Sequence, residues 1–138
     1  MAELTMAGAE KILAERFAPW VLELGIGIDE VGAGLAVLRV PPSDRLNRGG
    51  GTVCGQAIMA LADTAMVIAI SGTNGGFVPM TTVNQTSSFL RPAAAQTSLV
   101  ARARLIKTGR TVIYGEVALH TGQPDKPVAH VTSTYMLL

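Results

Sequence analysis

The fold is decided by Val53-Cys54-Gly55-Gln56-Ala57-Ile58-Met59-Ala60-Leu61-Ala62-Asp63-Thr64-Ala65-Met66-Val67-Ile68-Ala69-Ile70, 18 residues with one charge, Asp63. The run is long enough to raise the question of a membrane span. A carboxylate at its centre is costly in lipid, and no basic cluster or aromatic belt flanks it. The better reading is a helix buried on nearly all sides in a soluble protein. Its Ala, Leu, Met and Gln residues are good helix formers, and Ser71-Gly72-Thr73-Asn74-Gly75-Gly76 supplies the stop signal.

Upstream, Thr5 to Phe17 has helical spacing at Met6, Leu13 and Phe17 and ends before Pro19. Val21 to Ile28 alternates and reads as a strand. Asp29 to Gly34 reads as a turn, and Leu35 to Val40 as a second strand stopped by Pro41-Pro42. A polar, glycine-rich stretch from Ser43 to Gly51 leads into the apolar helix. Downstream, strands are expected over Met80–Leu90, Ser98–Ile106, Thr111–His120 and Val128–Leu137. If Lys107 faces Thr111, then Leu99, Ala101, Ala103 and Leu105 face Leu119, Val117, Gly115 and Ile113, and Arg102 meets Glu116. The order helix, two strands, buried helix, four strands predicts an α+β domain whose antiparallel sheet wraps the apolar helix.

Composition narrows the function. The chain has 138 residues, 49% hydrophobic, 15% charged and 4% aromatic, with a mean hydropathy of +0.38. Soluble domains carry roughly 25% charge, so much of this surface is expected to be covered by copies of the same chain. Disorder is excluded. A net charge of +1 leaves no footprint for nucleic acid. One cysteine and two histidines give no disulfide framework and no metal site. Early acids and no apolar run from Met1 onwards argue against a signal peptide, and a reducing, cytoplasmic setting follows.

Asp63 is the first candidate for chemistry. A lone carboxylate in an apolar helix is expensive unless paired or functional. Positions 59, 60, 66 and 67 are Met, Ala, Met and Val, so no basic side chain lies one turn away. Burial would raise its pKa, which suits a general base. The other reading is an aspartate bonded to a neighbouring strand or reaching solvent. Gly55 is the second candidate. Helix N-termini offer free N–H groups, and a residue without a side chain lets a ligand oxygen approach, as an oxyanion hole requires. The two residues are eight positions apart, roughly 12 Å along one helix. A base must come within about 3 Å of its target, so a second copy of the helix is needed to join them. Cys54 at the helix start is a nucleophile candidate or a small packing residue. His120 and His130 lie far off in sequence and read as strand-surface residues. Arg91, Lys107 and Arg110 could meet phosphates or be ordinary solvated turn residues.

The run Gly51-Thr52-Val53-Cys54-Gly55-Gln56-Ala57 through Leu61-Ala62-Asp63-Thr64-Ala65 resembles the helix motif of hotdog-fold acyl-CoA thioesterases of the phenylacetate-degradation (PaaI-like) type. Val83 through Ser88-Phe89-Leu90-Arg91-Pro92-Ala93 is similar to the family's next strand, and Lys107-Thr108-Gly109-Arg110 to its hairpin, so the likeness spans about residues 20 to 138. It implies a hotdog fold, with five to six strands around the helix, assembled as homodimers and homotetramers. It implies an acyl-CoA substrate, with no metal or cofactor beyond the substrate's own coenzyme A. By the same resemblance the Gly55 N–H holds the carbonyl oxygen, and Asp63 of the partner subunit is general base or nucleophile. Asn47 would help position carbonyl or water, and Thr82 would orient the water. Cys54 and Gln56 would border the substrate. The family usually has His-Gly-Gly where this chain has Cys54-Gly55-Gln56, and the loop from Asn47 to Gly51 is one residue longer. That departure leaves room for a non-catalytic acyl-CoA binder. A hotdog enoyl-CoA hydratase or dehydratase would want a histidine beside the carboxylate, which the helix start does not supply.

Overall fold

The computed structural model describes residues 3–138. The signal-peptide reading begins on Met1 and Ala2, which lie outside the described residues. Helix α1, Met6–Arg16, starts where Thr5 accepts the Gly8 N–H on its hydroxyl at 3.0 Å. Its inward residues are Ala9, Ile12 and Leu13, whereas Met6, expected on that stripe, is exposed.

The strand expected over Val21–Ile28 forms only at its last two residues, Gly27 and Ile28. Pro19–Leu22 makes a single helical turn, α2, with Pro19 at its first position, where proline's fixed φ is already helical and no N–H is missed. Gly25 at φ +75° then reverses the chain, and strand β1 runs from Gly27 to Gly32. The turn expected over Asp29–Gly34 contracts to Ala33-Gly34, because Gly32 pairs with Leu35 of β2, Leu35–Val40. Apolar alternation from Leu22 to Ile28 misled here because Leu24 and Ile26 are tucked inward by a turn and the reversal at Gly25 rather than by a pleat.

The polar stretch is more structured than a loop. A 3₁₀ turn, Asp44–Leu46, leads into a small hairpin of β3, Asn47–Arg48, and β4, Thr52–Val53. Helix α3 then runs from Gly55 to Asn74. It starts two residues later and ends four residues later than the apolar run that closes at Ile70. Ser71 and Asn74 side chains donate to the carbonyls of Val67 and Ile70, and Gly75 at φ 73° makes the cap.

Strands β5, Met80–Phe89, β6, Leu99–Thr108, β7, Val112–His120, and β8, Ala129–Leu137, complete a six-stranded antiparallel sheet in the order β1-β2-β6-β7-β8-β5. The sheet curls around α3, whose Ile58, Leu61, Ala65, Met66, Ile68 and Ala69 are buried against it. The apolar faces of α3 are therefore spent on protein rather than lipid. This is the α+β hotdog architecture that the resemblance implied.

The helix lies off-centre. It sits chiefly over β2 and β6 and touches β5 and β8 lightly. At its far end a Cβ on Gly72 would come 2.2 Å from the Gly32 carbonyl oxygen, so helix and β1 backbones meet directly there.

The β6–β7 register corrects the expected one by two residues. Ala101 faces Leu119, Ala103 faces Val117, and Arg104, not Arg102, faces Glu116, with Nη2 3.1 Å from its carboxylate. Arg102 reaches towards Glu30 instead, at 3.9 Å. A two-residue slip keeps every side chain on its own face, and Ala101 and Ala103 are buried while both arginines are exposed. The shift arises at the hairpin end. A bulge at Ile106 and a bond from Gly109 N–H to Val112 O place the turn at Arg110-Thr111, so Lys107 faces Tyr114.

Candidate active site

The N-terminus of α3 is left open by its own sequence. Cys54 is the N-cap residue in extended conformation, and its side chain makes no capping bond. Its N–H donates to the Leu46 carbonyl at 2.8 Å. The next N–H groups, beginning with Gly55, keep the positive end of the helix dipole unneutralised. The entry loop is pinned by Val53 N–H to Ala93 O at 3.0 Å and Ala95 N–H to Gly51 O at 3.2 Å. Gly50 and Gly51, at φ 107° and 80°, make the turn that brings it there. A cleft of about 620 Å³ opens beside Gly55, lined among others by Arg48, Thr52, Ile58, Phe89 and Arg91. The Phe89 ring sits against the glycine, where a Cβ would lie 3.3 Å from it.

Asp63 opens on a different cleft. It is partly exposed rather than buried, and it is bonded to neighbouring strands. Thr82 of β5 donates its hydroxyl to Asp63 Oδ1 at 3.1 Å. Tyr135 of β8 donates to the same oxygen and also lies 3.1 Å from the Asp63 carbonyl oxygen. Oδ2 has no partner among the described residues. The cleft there is about 330 Å³ and is lined by Trp20, Gln56, Met59, Ala60, Asp63, Thr82 and Gln85. Tyr135 is only 1% exposed. Burial first, then the Asp63 charge and its hydrogen bond, raise the phenol above the ordinary tyrosine value of 10.0, with Thr82 pulling the other way.

The other expected residues divide between these places. Gln56 shares the Asp63 cleft rather than the Gly55 one, and Cys54 lines a smaller hollow with Trp20, Arg45 and Gln56. Asn47 sits in β3, outside the Gly55 cleft, with its amide 3.5 Å from Asp44 Oδ1. Arg91 borders the Gly55 cleft and donates to the Pro127 carbonyl at 2.8 Å. Lys107 and Arg110 are exposed at the opposite end of the sheet. Arg91 is tied to Val128 and the β6–β7 turn lies by Met136, about 26 Å apart along β8. His130, 3.8 Å from Glu116, and His120 alternate with inward residues of β8 and β7, so they face away from α3 and Cys54.

Sequence reading missed Tyr135, Arg48, Phe89 and Trp20. Arg48 carried a signal, a cation beside a glycine run at a helix start. Tyr135 carried only its inward strand position.

One helix thus carries an open N-terminus that can hold an oxyanion and, farther along, a carboxylate with one free oxygen that can take a proton or attack a carbon.

Several known proteins are similar to this chain. A Thermoplasma acidophilum protein that carries an esterase name is 27% identical over 95 residues, covering 69% of this chain and 70% of that protein. A point mutant of the phenylacetic acid degradation protein PaaI from Thermus thermophilus superposes with a TM-score of 0.77 and 27% identity, over 88% of this chain and 100% of that one. The E. coli PaaI protein from the phenylacetic acid degradation operon shares the fold, with a TM-score of 0.84 and 23% identity over 96% and 91% of the two chains. The thioesterase superfamily profile matches residues 50–128, more than half of the chain and the whole span from the Gly55 loop to β8, so this chain belongs to the thioesterase superfamily and is a PaaI-like hotdog protein.

Proposed function

We propose that this protein hydrolyses an acyl-CoA thioester to a free acid and coenzyme A, at a site built by two copies of the chain. One observation carries the reading. The Gly55 N–H and the Asp63 carboxylate open on separate clefts of one helix, roughly 12 Å apart. Either alone is half a hydrolase. A second copy whose α3 runs antiparallel to the first would bring the two together.

The outer edge of β5 supports that arrangement. It is a ten-residue edge strand with no strand beyond it among the described residues, and Val83 and Phe89 along it, with Leu90 just past its end, are half exposed. Such an edge invites pairing with another chain. Low overall charge favours the same outcome, as a dimer and then a tetramer.

In the combined site the thioester oxygen sits on the Gly55 N–H, where the helix dipole stabilises the charge that develops on it. Asp63 of the partner subunit takes a proton from water as the water oxygen bonds the carbonyl carbon. The C–S bond then breaks, and the thiolate leaves to take up a proton. In the alternative course Asp63 attacks the carbonyl carbon first, the C–S bond breaks to release the coenzyme A thiolate, and water then cleaves the resulting anhydride to the free acid and the restored carboxylate. Thr82 fixes the carboxylate, and Gln56 and Cys54 border the acyl group. Asn47 helps place the carbonyl or the water after exchanging its Asp44 contact. Arg91, with Arg48 beside it, takes the phosphates of coenzyme A. Lys107 and Arg110, at the sheet's other end, reach the same ligand only from a further copy. An acyl-CoA substrate and a free cysteine both suit the cytoplasm.

The test is thiol release from a panel of acyl-CoAs. Asp63→Asn and Asp63→Ala are expected to lower kcat by about 10²- to 10⁴-fold. Unchanged turnover in both variants refutes the assignment of Asp63. Hydration of an enoyl-CoA without thiol release would point to a hydratase instead.

A further inference from the structure

We propose that Tyr135 is a positioning residue for the reaction: with Thr82 it occupies Oδ1 of Asp63, and so selects Oδ2 as the oxygen that does the chemistry. The inference rests on the reading of Asp63 given above.

A carboxylate on a helix surface has two equivalent oxygens and broad freedom about its terminal torsion. Here that freedom is removed from one side. The Thr82 hydroxyl approaches Oδ1 from β5 at 3.1 Å, and the Tyr135 phenol approaches the same oxygen from β8. The phenol is also 3.1 Å from the Asp63 main-chain oxygen, so it is registered against both the side chain and the backbone of one residue. Its single proton goes to the carboxylate, the stronger acceptor. Thr82 and Tyr135 are themselves partners across β5 and β8, so the two donors are spaced by the sheet ladder rather than by a loop. A bulge follows at Val83, between Thr82 and Asn84, where the ladder resets.

The consequence is directional. Oδ1 is saturated, and Oδ2 remains unbonded among the described residues, on a residue that lines the cleft with Trp20, Met59 and Gln85. Burial of the ring keeps the phenol protonated and beyond the reach of solvent. Tyr135 never touches the substrate. It acts through Asp63.

The experiment compares Tyr135→Phe, Asp63→Asn and Tyr114→Phe with the parent enzyme, using the acyl-CoA turned over fastest. The melting curve of each is recorded, and kinetics are run where every variant is fully folded. Tyr135→Phe keeps the ring and loses one hydroxyl. Its kcat is expected to fall at least tenfold, with KM within about twofold, because a misplacement of an ångström costs on the order of 10²-fold in rate. Tyr114, on the sheet face away from α3, is expected to lose its hydroxyl without effect. A fall of less than tenfold in Tyr135→Phe, or a rise in KM that accounts for the loss, overturns the inference while an inactive Asp63→Asn leaves the functional reading standing. Full turnover by Asp63→Asn overturns that reading and this inference together.

Discussion

Asp63→Asn and Gly55→Pro should each inactivate the enzyme alone and restore one another when mixed. Gly55→Pro is chosen because it removes one group, the N–H at the first position of α3. Proline is tolerated there, and Cys54 before it already has the extended geometry that proline demands, φ −69° and ψ 149°. The added ring carbons press on Phe89, whose nearest atom would be 3.3 Å from a Cβ, so that ring must yield by a few tenths of an ångström. Asp63→Asn leaves Gly55 intact, and the reverse holds for the other variant. If each site takes Gly55 from one subunit and Asp63 from the next, a heterodimer has one site with both groups and one with neither. Random association of equal amounts gives about half heterodimers, each with one working site of two, so about a quarter of parental activity should return. The assay is co-expression with two affinity tags, tandem purification of the mixed species, and thiol release from an acyl-CoA. For the purified heterodimer the expected value is about half the parental kcat. Activity no higher than the average of the two inactive parents would mean that both groups act within one chain, and would refute a site shared between subunits.

Two further outcomes follow from the packing and from the buried phenol. Gly72→Ala should destabilise the fold by about 1–3 kcal/mol in urea titration, although alanine is the better helix former by roughly 0.5–1 kcal/mol, because its Cβ would sit 2.2 Å from the Gly32 carbonyl oxygen; a stabilised variant would refute the close helix–strand contact. Tyr135 holds its proton above the unfolded value of 10.0, so stability is level below that pH and then falls as pH rises, by about 1.4 kcal/mol per pH unit while only the unfolded chain releases the proton. Urea unfolding free energies at about pH 9, 10 and 11, bracketing the tyrosine value, should fall by about 1.4 kcal/mol in all across that range in the parent, most of it above pH 10, and by less in Tyr135→Phe.

What the sequence disclosed tracks how local each cause is. Helix α3 was legible because its apolar residues fall on all sides and Asp63 interrupts them, which neither a strand nor a lipid-facing helix would tolerate. The separation of Gly55 and Asp63 along one helix was legible because it needs no tertiary knowledge. The β6–β7 register was not, because a two-residue slip leaves the buried set unchanged and an arginine stands at both Arg102 and Arg104. The segment after Pro19 was misread because alternation over a few residues is also produced by one helical turn followed by a reversal at a glycine. Tyr135 was invisible for a different reason. It reads as any inward strand residue, and its partner is 72 positions away. The distance between Arg91 and the pair Lys107 and Arg110 likewise depended on strand order, which spacing alone does not give.

The same separation governs when the site comes into being. Helix α3 is held by bonds between near neighbours and can form on the submicrosecond scale of helix growth. The donors to Asp63 come from β5 and from β8, so the carboxylate is set only after the strand farthest along the chain has closed a loop back over the helix. Closing such a loop costs entropy before any contact rewards it, which makes this pairing a late event in a fold dominated by distant partners. During refolding, secondary structure should therefore outrun competence: the aspartate exists in a formed helix, aimless, until β8 arrives.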